Sequence, residues 1–164
     1  MKKLYFISGT MGVGKTAVCR ILNTKLDNSV FLDGDWCWNM SPFSVTEETK
    51  ELVMENITYL LNNYIKCSQF DNIVFCWVMH KQKIIDEILS SIDSDNCEVK
   101  SISLVCRADV LKSHLQKDIS DGIRTSAIIE KSISYLSLYD KLNTYKIDVS
   151  DITALQAADR IIKL

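Results

Sequence analysis

The pattern G-x-x-x-x-G-K-S/T occurs near the N-terminus as Gly9-Thr10-Met11-Gly12-Val13-Gly14-Lys15-Thr16. Glycines at these positions let backbone N–H groups turn towards a polyphosphate, and the start of a following helix adds partial positive charge. In such a loop the Lys15 ammonium reaches the β- and γ-phosphates, and the Thr16 hydroxyl is a ligand for Mg²⁺. The stretch therefore predicts a phosphate-binding loop, or P-loop, that takes ATP and Mg²⁺.

Two carboxylates and two large rings follow a short apolar run further along the chain. They are Asp33, Asp35, Trp36 and Trp38, with Gly34 between the acids. The acids could act on a ligand, or they could build a local turn on Asp-Gly. The tryptophans could cover the sheet, or they could line a pocket in which a flat ring stacks.

Apolar runs alternate with segments of helical periodicity throughout the chain. Strands are predicted at Leu4–Ser8, Val30–Asp33, Ile73–Met79, Val99–Cys106 and Tyr145–Val149. Helices are predicted at Lys15–Leu26, Thr46–Lys66, Lys81–Ser91, Asp109–Ile119, Ala127–Leu142 and Ala154–Lys163, and capping boxes at Ser44–Glu47 and Thr153–Gln156 indicate two of their starts. Continuous apolar strands are typical of sheets covered on both faces. The order therefore predicts an α/β fold of three layers, a doubly wound five-stranded parallel sheet with helices on both faces.

Ligands of such sheets bind beyond the carboxyl ends of the strands, so the P-loop and the two acids should share one edge. With this loop and the Asp33-Gly34-Asp35 turn after strand two, the chain resembles the P-loop small-molecule kinases. This group includes shikimate, gluconate, adenylylsulfate and nucleoside monophosphate kinases, and "LDGDWCW" is similar to the version in bacterial nucleotide kinases. The resemblance covers essentially the whole chain. It implies one P-loop kinase-like domain over residues 1–164, with an acceptor-side region at about 34–66 and a short lid at about 117–126.

The resemblance also implies roles for individual residues. Asp33, nearer the strand, would hold a water on Mg²⁺, and Asp35 would hydrogen-bond the acceptor and serve as general base. Arg124, directly after Gly122 in the lid, would embrace the γ-phosphate in the transition state, with Lys117 as the second choice. A solvated cation on a loop is the alternative for Arg124.

Two further positions belong to the nucleotide side of this resemblance. His114 stands where many relatives place an arginine that stacks on adenine, and histidine can also stack. Val149 lies in the loop after strand five, where relatives bind the adenine edge through backbone groups. Both are therefore expected to contact the nucleotide.

The third strand has no aspartate at its end, so an ordinary Walker B acid is missing there. In relatives with a D-x-D turn the first acid takes that role, which makes Asp33 more important. Trp77 and His80 occupy the strand end instead. Together with Trp36 and Trp38 they are candidates for acceptor binding, although a lone histidine is more often structural.

Composition limits the functional classes. The chain has 164 residues, 47% of them hydrophobic and 24% charged, which suits one globular domain. A net charge of −2 argues against nucleic-acid binding, since no basic stripe is available. No apolar stretch is long enough for a membrane span, and the six cysteines include no C-x-x-C pair. We therefore expect a cytoplasmic monomer or homodimer with reduced thiols.

The predicted function is transfer of the γ-phosphoryl group of Mg-ATP to a small acceptor. The tryptophans favour a nucleoside, a nucleotide or another ring-bearing molecule, while a sugar acid or an antibiotic hydroxyl stays open. A nucleotide-binding regulatory or sensor protein without transfer activity is the main alternative. Asp35 discriminates between them, because a sensor needs no base in an acceptor pocket. A guanine-specificity motif at residues 24–27 is discounted, because it lies inside the first predicted helix.

Overall fold

Five parallel strands form a single sheet in the computed structural model, which describes residues 1–164, and their order is β2-β3-β1-β4-β5. The strands are β1 (Lys2–Ser8), β2 (Ser29–Asp33), β3 (Asn72–Trp77), β4 (Cys97–Val105) and β5 (Tyr145–Asp148). Every predicted strand is present, although β3 ends two residues before the predicted Met79. The chain leaves the sheet there, because Met79 adopts a positive φ of 24°.

Six α-helices connect and follow these strands, as predicted. They are α1 (Lys15–Lys25), α2 (Glu47–Lys66), α3 (Gln82–Ser90), α4 (Ala108–Ser120), α5 (Ile128–Tyr139) and α6 (Ala154–Ile162). A short 3₁₀ helix, Gly34–Trp38, was not predicted. It begins where the Asp33 carboxylate accepts the backbone N–H of Asp35. The local Asp-Gly turn is therefore present, and it leaves a chemical role for the two acids open. No helix combines the length and apolar character that crossing a membrane requires.

The capping boxes gave one correct and one wrong prediction. Thr153 and Gln156 exchange hydrogen bonds at the start of α6, as predicted. The box predicted at Ser44–Glu47 is wrong, because α2 is capped by Thr46 and Thr49. The Thr49 hydroxyl also donates to the Ser44 carbonyl at 3.0 Å, which leaves Ser44 outside the helix.

Hydrophobic side chains from alternate positions of the strands form two cores, one on each face of the sheet. Tyr5 and Ile7 of β1 face the core that α1, α4 and α6 cover. Leu4 and Phe6 face the opposite core, which α2 and α3 cover. The three-layer, doubly wound arrangement is thus confirmed, and burial on both faces explains why the strands read as continuous apolar runs.

Parallel pairing brings three strand ends to the same edge of the sheet. Ser8 pairs with Trp77, and Asp33 pairs with Cys76 of the intervening strand β3. The loop after β1, the turn after β2 and the segment after β3 therefore begin side by side. This edge carries the candidate active site.

Candidate active site

The loop at residues 9–16 joins β1 to α1 in a conformation that its glycines permit. Gly12 has a φ of +83°, and a Cβ atom there would lie 2.5 Å from Cδ2 of Leu115 in α4. Any other residue would thus meet both backbone strain and a side-chain clash. The glycine lets helix α4 pack directly against the loop.

Two buried side chains hold this loop in place. The Lys15 ammonium donates to the Thr10 carbonyl at 3.0 Å, and burial lowers the pKa of Lys15. The Thr10 hydroxyl, fully buried, donates to the Ser132 carbonyl of α5 at 2.7 Å. The loop is therefore fixed to itself and to α5, with the charge of Lys15 largely withdrawn from solvent.

The first acid of the Asp-Gly-Asp turn contacts the P-loop directly. Asp33 is only 4% exposed, and its Oδ2 accepts the Thr16 hydroxyl at 2.7 Å. Its Oδ1 accepts the backbone N–H of Asp35 at 3.1 Å. Thr16 and Asp33 thus offer two adjacent oxygen donors where the phosphates would lie, a set that fits Mg²⁺, which usually takes one or two protein oxygens besides phosphates and waters.

The second acid, Asp35, lies where two cavities meet. A phosphate-side cavity of about 480 Å³ and a larger, acceptor-side cavity of about 820 Å³ share two lining residues, Asp35 and Met11. Burial and then the neighbouring Asp33 raise the pKa of Asp35, while Lys15, Arg124 and Trp77 act in the opposite direction. A carboxylate in this position can reach an acceptor on one side and a phosphate on the other.

The phosphate-side cavity is closed by α4 and the segment that follows it. Its lining residues beyond the P-loop and Asp35 are Ala17, His114, Lys117, Asp118, Asp121 and Arg124. Arg124 donates from Nε to Asp118 at 3.0 Å, and this bond holds its guanidinium beside the cavity. Lys117 lines the same cavity. The region predicted as a lid therefore lies over the phosphate side of the site.

His114 contacts the P-loop itself. Its Nδ1 lies 3.2 Å from the Gly12 carbonyl, and since a carbonyl only accepts, this nitrogen is the donor. The imidazole lines the phosphate-side cavity. The contact anchors α4 to the loop, so the ring has a structural partner besides any contact with a nucleotide.

Val149, predicted to contact the nucleotide through its backbone, has its side chain in the core. Val149 is 7% exposed, its side chain belongs to the core under α1 and α6, and it lines neither cavity. Its N–H donates to the Val105 carbonyl at 2.9 Å, which extends the pairing of β4 with β5. The side chain is therefore withdrawn from both cavities, while contact of the Val149 carbonyl with a nucleotide stays a prediction.

The acceptor-side cavity has mostly hydrophobic walls. Ten of its 15 lining residues are hydrophobic, and they include the three tryptophans of the chain, Trp36, Trp38 and Trp77. Trp36 is 52% exposed and meets Phe31 edge-to-face with ring centroids 5.1 Å apart. Trp38 and Trp77 are half-buried and also pack against the core. The two interpretations of the tryptophans therefore both hold: they cover the sheet and they line a pocket.

Trp77 also packs tightly on the Asp-Gly-Asp turn. A Cβ atom at Gly34 would lie 2.6 Å from Cγ of Trp77, closer than real side chains approach. The glycine between the two acids is thus required by the indole above it. Trp77 in turn limits how the backbone that carries Asp35 can move.

His80 forms the opposite wall together with a residue that the sequence did not indicate. Its ring stacks on Tyr135 of α5, with centroids 4.5 Å apart and an angle of 28° between the planes. Burial, followed by Lys81 and Lys131, lowers the pKa of His80, so the imidazole is neutral near pH 7. Tyr135 lies inside an ordinary amphipathic helix, and no local signal marked it.

The strand order, with a phosphate-binding loop after β1 in the central position, is that of P-loop domains. The chain belongs to the family described as AAA domain, whose sequence model matches residues 6–132. No curated protein matches the sequence.

Solved structures share the fold over nearly the whole chain. The tunicamycin resistance protein of Deinococcus radiodurans is 15% identical, with a TM-score of 0.72, covering 99% of this chain and 95% of its own. A gluconokinase from Sinorhizobium meliloti 1021 is 14% identical, with a TM-score of 0.72 and coverage of 98% and 90%. A shikimate kinase from Acinetobacter baumannii, in complex with shikimate, is 21% identical, with a TM-score of 0.65 and coverage of 99% and 92%. The P-loop kinase-like fold predicted from the sequence is thereby confirmed.

Proposed function

We propose that this protein is an ATP-dependent phosphotransferase that moves the γ-phosphoryl group of Mg-ATP to a small ring-bearing acceptor, with nucleosides and nucleotides among the candidates. The observation that carries the proposal is the position of Asp35 at the boundary of the two cavities. A protein that only binds or senses a nucleotide has no use for a carboxylate between the phosphates and a second, apolar pocket. Membership of a P-loop family and the kinase-like fold support the same conclusion.

The phosphate side supplies charge and orientation. Lys15 is a buried cation at the centre of the P-loop and would contact the β- and γ-phosphates. Thr16 would be a direct ligand of Mg²⁺, and Asp33, hydrogen-bonded to it, would hold a metal-bound water. When bound, the metal neutralises charge on the phosphate oxygens. Arg124, released from Asp118, would add a donor as negative charge spreads in the transition state.

The transfer step itself needs alignment and a destination for one proton. An acceptor hydroxyl in the apolar cavity would donate its proton to Asp35. Its oxygen forms a bond to the γ-phosphorus while the bond from that phosphorus to the β–γ bridging oxygen breaks, and ADP leaves. The raised pKa of Asp35 makes it a better base than an ordinary surface aspartate.

The test is an assay of ATP consumption with Mg²⁺, with and without a panel of nucleosides, nucleotides, sugar acids and aromatic alcohols. We expect ADP formation to depend on one acceptor and to equal the phosphorylated product. Asp35→Asn should lower that rate on the order of 10²- to 10⁴-fold while ATP still binds. Asp140→Asn is a matched control that should leave the rate unchanged, because Asp140 is exposed at the end of α5 and lines neither cavity.

Nucleotide binding with no transfer to any acceptor would contradict the proposal and favour a regulatory or sensor protein. Transfer that survives Asp35→Asn unchanged would keep the activity but refute the role of the carboxylate. Asp33→Asn gives an independent measurement, since it should shift the Mg²⁺ requirement upward with little effect on acceptor affinity.

A further inference from the structure

We propose that the phosphoryl acceptor is an uncharged, ring-bearing alcohol rather than a nucleotide, a sugar acid or another anion. This inference rests on the proposed function and narrows its substrate class. The evidence for it is the set of charged side chains that line the acceptor-side cavity and the hydrophobic character of the other lining residues.

The charged groups of this cavity do not form an anion site. The four arginines of the chain are Arg20, Arg107, Arg124 and Arg160, and none of them lines it. Binding of a phosphate or carboxylate group typically uses the bidentate fork of arginine, or several convergent donors. The cavity offers instead one acid, Asp35, at its junction with the phosphate side.

Its two cations are exposed lysines with other contacts. Lys50 is half exposed and pairs at 2.7 Å with Glu47, which does not line the cavity, so its ammonium is held by a partner outside the pocket and is screened by solvent. Lys131 lies over the Tyr135 ring, with its nitrogen 5.9 Å from the ring centre. His80 stacks on the same tyrosine and is neutral. An anion entering this cavity would meet Asp35 with no dedicated counter-charge.

The walls favour a flat apolar body over a polyol. Five of the lining side chains are charged or fully polar: Asp35, Asn39, Lys50, His80 and Lys131. The remaining ten are hydrophobic, and a volume of about 820 Å³ is large enough for a molecule of drug size. Three indoles and a tyrosine ring would stack on a ring system through their faces, whereas hydroxyls of a sugar acid that lie against those faces would be unpaired.

The chemistry at Asp35 agrees with a hydroxyl acceptor. A neutral hydroxyl can donate a hydrogen bond to the carboxylate and lose its proton to it as the bond to the γ-phosphorus forms. A phosphate in the same place has no proton to give when fully ionised, and it would face both Asp35 and the γ-phosphate. Lys15 and Arg124, the nearest cations, lie on the phosphate side and are needed there.

Occupancy of the cavity can be measured directly, because all three tryptophans line it and intrinsic fluorescence therefore reports binding. The protein, saturated with a non-hydrolysable ATP analogue and Mg²⁺, is titrated with matched probes. The pairs are thymidine with thymidine 5′-monophosphate, and 2-phenylethanol with 2-phenylethyl phosphate, and gluconate represents the sugar acids. We expect the neutral member of each pair to bind at least about tenfold more tightly than its phosphate.

Equal or tighter binding of the phosphates, tighter binding of gluconate, or no fluorescence change with either neutral probe would each overturn this inference. Transfer assays with Mg-ATP and the same probes keep it distinct from the proposed function. If gluconate or thymidine 5′-monophosphate is phosphorylated and the alcohols are not, the phosphotransferase stands and the acceptor class is wrong. If the alcohols bind but no probe is phosphorylated, the proposed phosphotransferase activity is wrong and the inferred ligand class stands.

Two variants test the physical cause. Asp35→Asn removes the repelling charge, so it should tighten thymidine 5′-monophosphate binding about tenfold and change thymidine binding by less than about threefold. Lys131→Met should leave thymidine binding unchanged to the same degree. If Lys131→Met instead abolishes monophosphate binding, that lysine holds an acceptor anion and the inference fails. Binding of the ATP analogue shows that each variant is folded.

Discussion

Replacing Gly34 by alanine tests how Trp77 and the Asp-Gly-Asp turn position the general base. The added Cβ would lie 2.6 Å from Cγ of Trp77, 2.8 Å from Cδ1 and 3.0 Å from Cβ. The near atoms belong to the rigid part of the side chain, so the indole or the turn must move. Because Asp35 is the next residue, either movement displaces its carboxylate.

Two opposing effects set the size of the loss in stability. Alanine is better than glycine in a 3₁₀ or helical segment by roughly 0.5–1 kcal/mol. Overpacking typically costs about 1–3 kcal/mol, so the midpoints of the two ranges give a net loss of about 1.3 kcal/mol, with an upper limit of about 2.5 kcal/mol. For a chain of this length each kcal/mol lowers Tm by about 2–4 °C, which predicts a decrease of about 3–5 °C from the midpoints. Transfer should decrease more steeply, by up to about 10²-fold, since a shift of about 1 Å at the reacting groups is enough.

The assays are thermal denaturation, tryptophan fluorescence and the rate of transfer. Ile161→Val is the control for stability alone, because Ile161 is fully buried in α6, outside both cavities, and this change costs about 0.5–1.5 kcal/mol. It should lower Tm with transfer intact. Trp77→Ala removes Cγ and Cδ1, so Gly34→Ala should cost less stability in the Trp77→Ala background than in the natural chain. A Gly34→Ala protein with unchanged Tm, fluorescence and transfer would refute the close packing argued above.

Three further predictions follow from the site. Lys15→Ala should abolish ATP turnover without loss of the fold, because under the proposed function its ammonium leaves the Thr10 carbonyl to contact the phosphates; near-normal turnover by a folded variant would contradict the phosphotransferase proposal. Amide exchange over residues 117–124 should slow when an ATP analogue binds, because Lys117 and Arg124 line the phosphate-side cavity, and equal exchange in both states would indicate a static segment. Transfer should decrease as acid protonates Asp35, at a higher pH than for an ordinary aspartate because burial and Asp33 raise its pKa; the acidic limb of the rate profile should be absent in Asp35→Asn.

Local patterns in the sequence predicted the parts of the molecule that depend on short-range chemistry. The P-loop was visible because its glycines, Lys15 and Thr16 have a fixed spacing. Apolar runs and periodicity predicted the strands and helices. The rules for parallel sheets predicted that Asp33 and Asp35 lie at the same edge of the sheet as the P-loop. The predicted cap at Ser44 was wrong because a second local pair, Thr46 and Thr49, caps the same helix. The burial of the Val149 side chain depends instead on tertiary packing, which local signals do not record.

The acceptor-side cavity was decided by the tertiary structure. His80 and Tyr135 stack although 55 positions separate them, and the Thr10 hydroxyl joins α5 to the P-loop by donating to the Ser132 carbonyl. The placement of Asp35 between two cavities likewise depends on Trp77, which packs over Gly34 from a different strand. The periodicity of a segment indicates which face of a helix or strand is buried, but it does not indicate which other helix or strand packs against that face. The sequence by itself therefore determined the P-loop and the two acids, while the packing of distant side chains decided the shape and charge of the space into which Asp35 points.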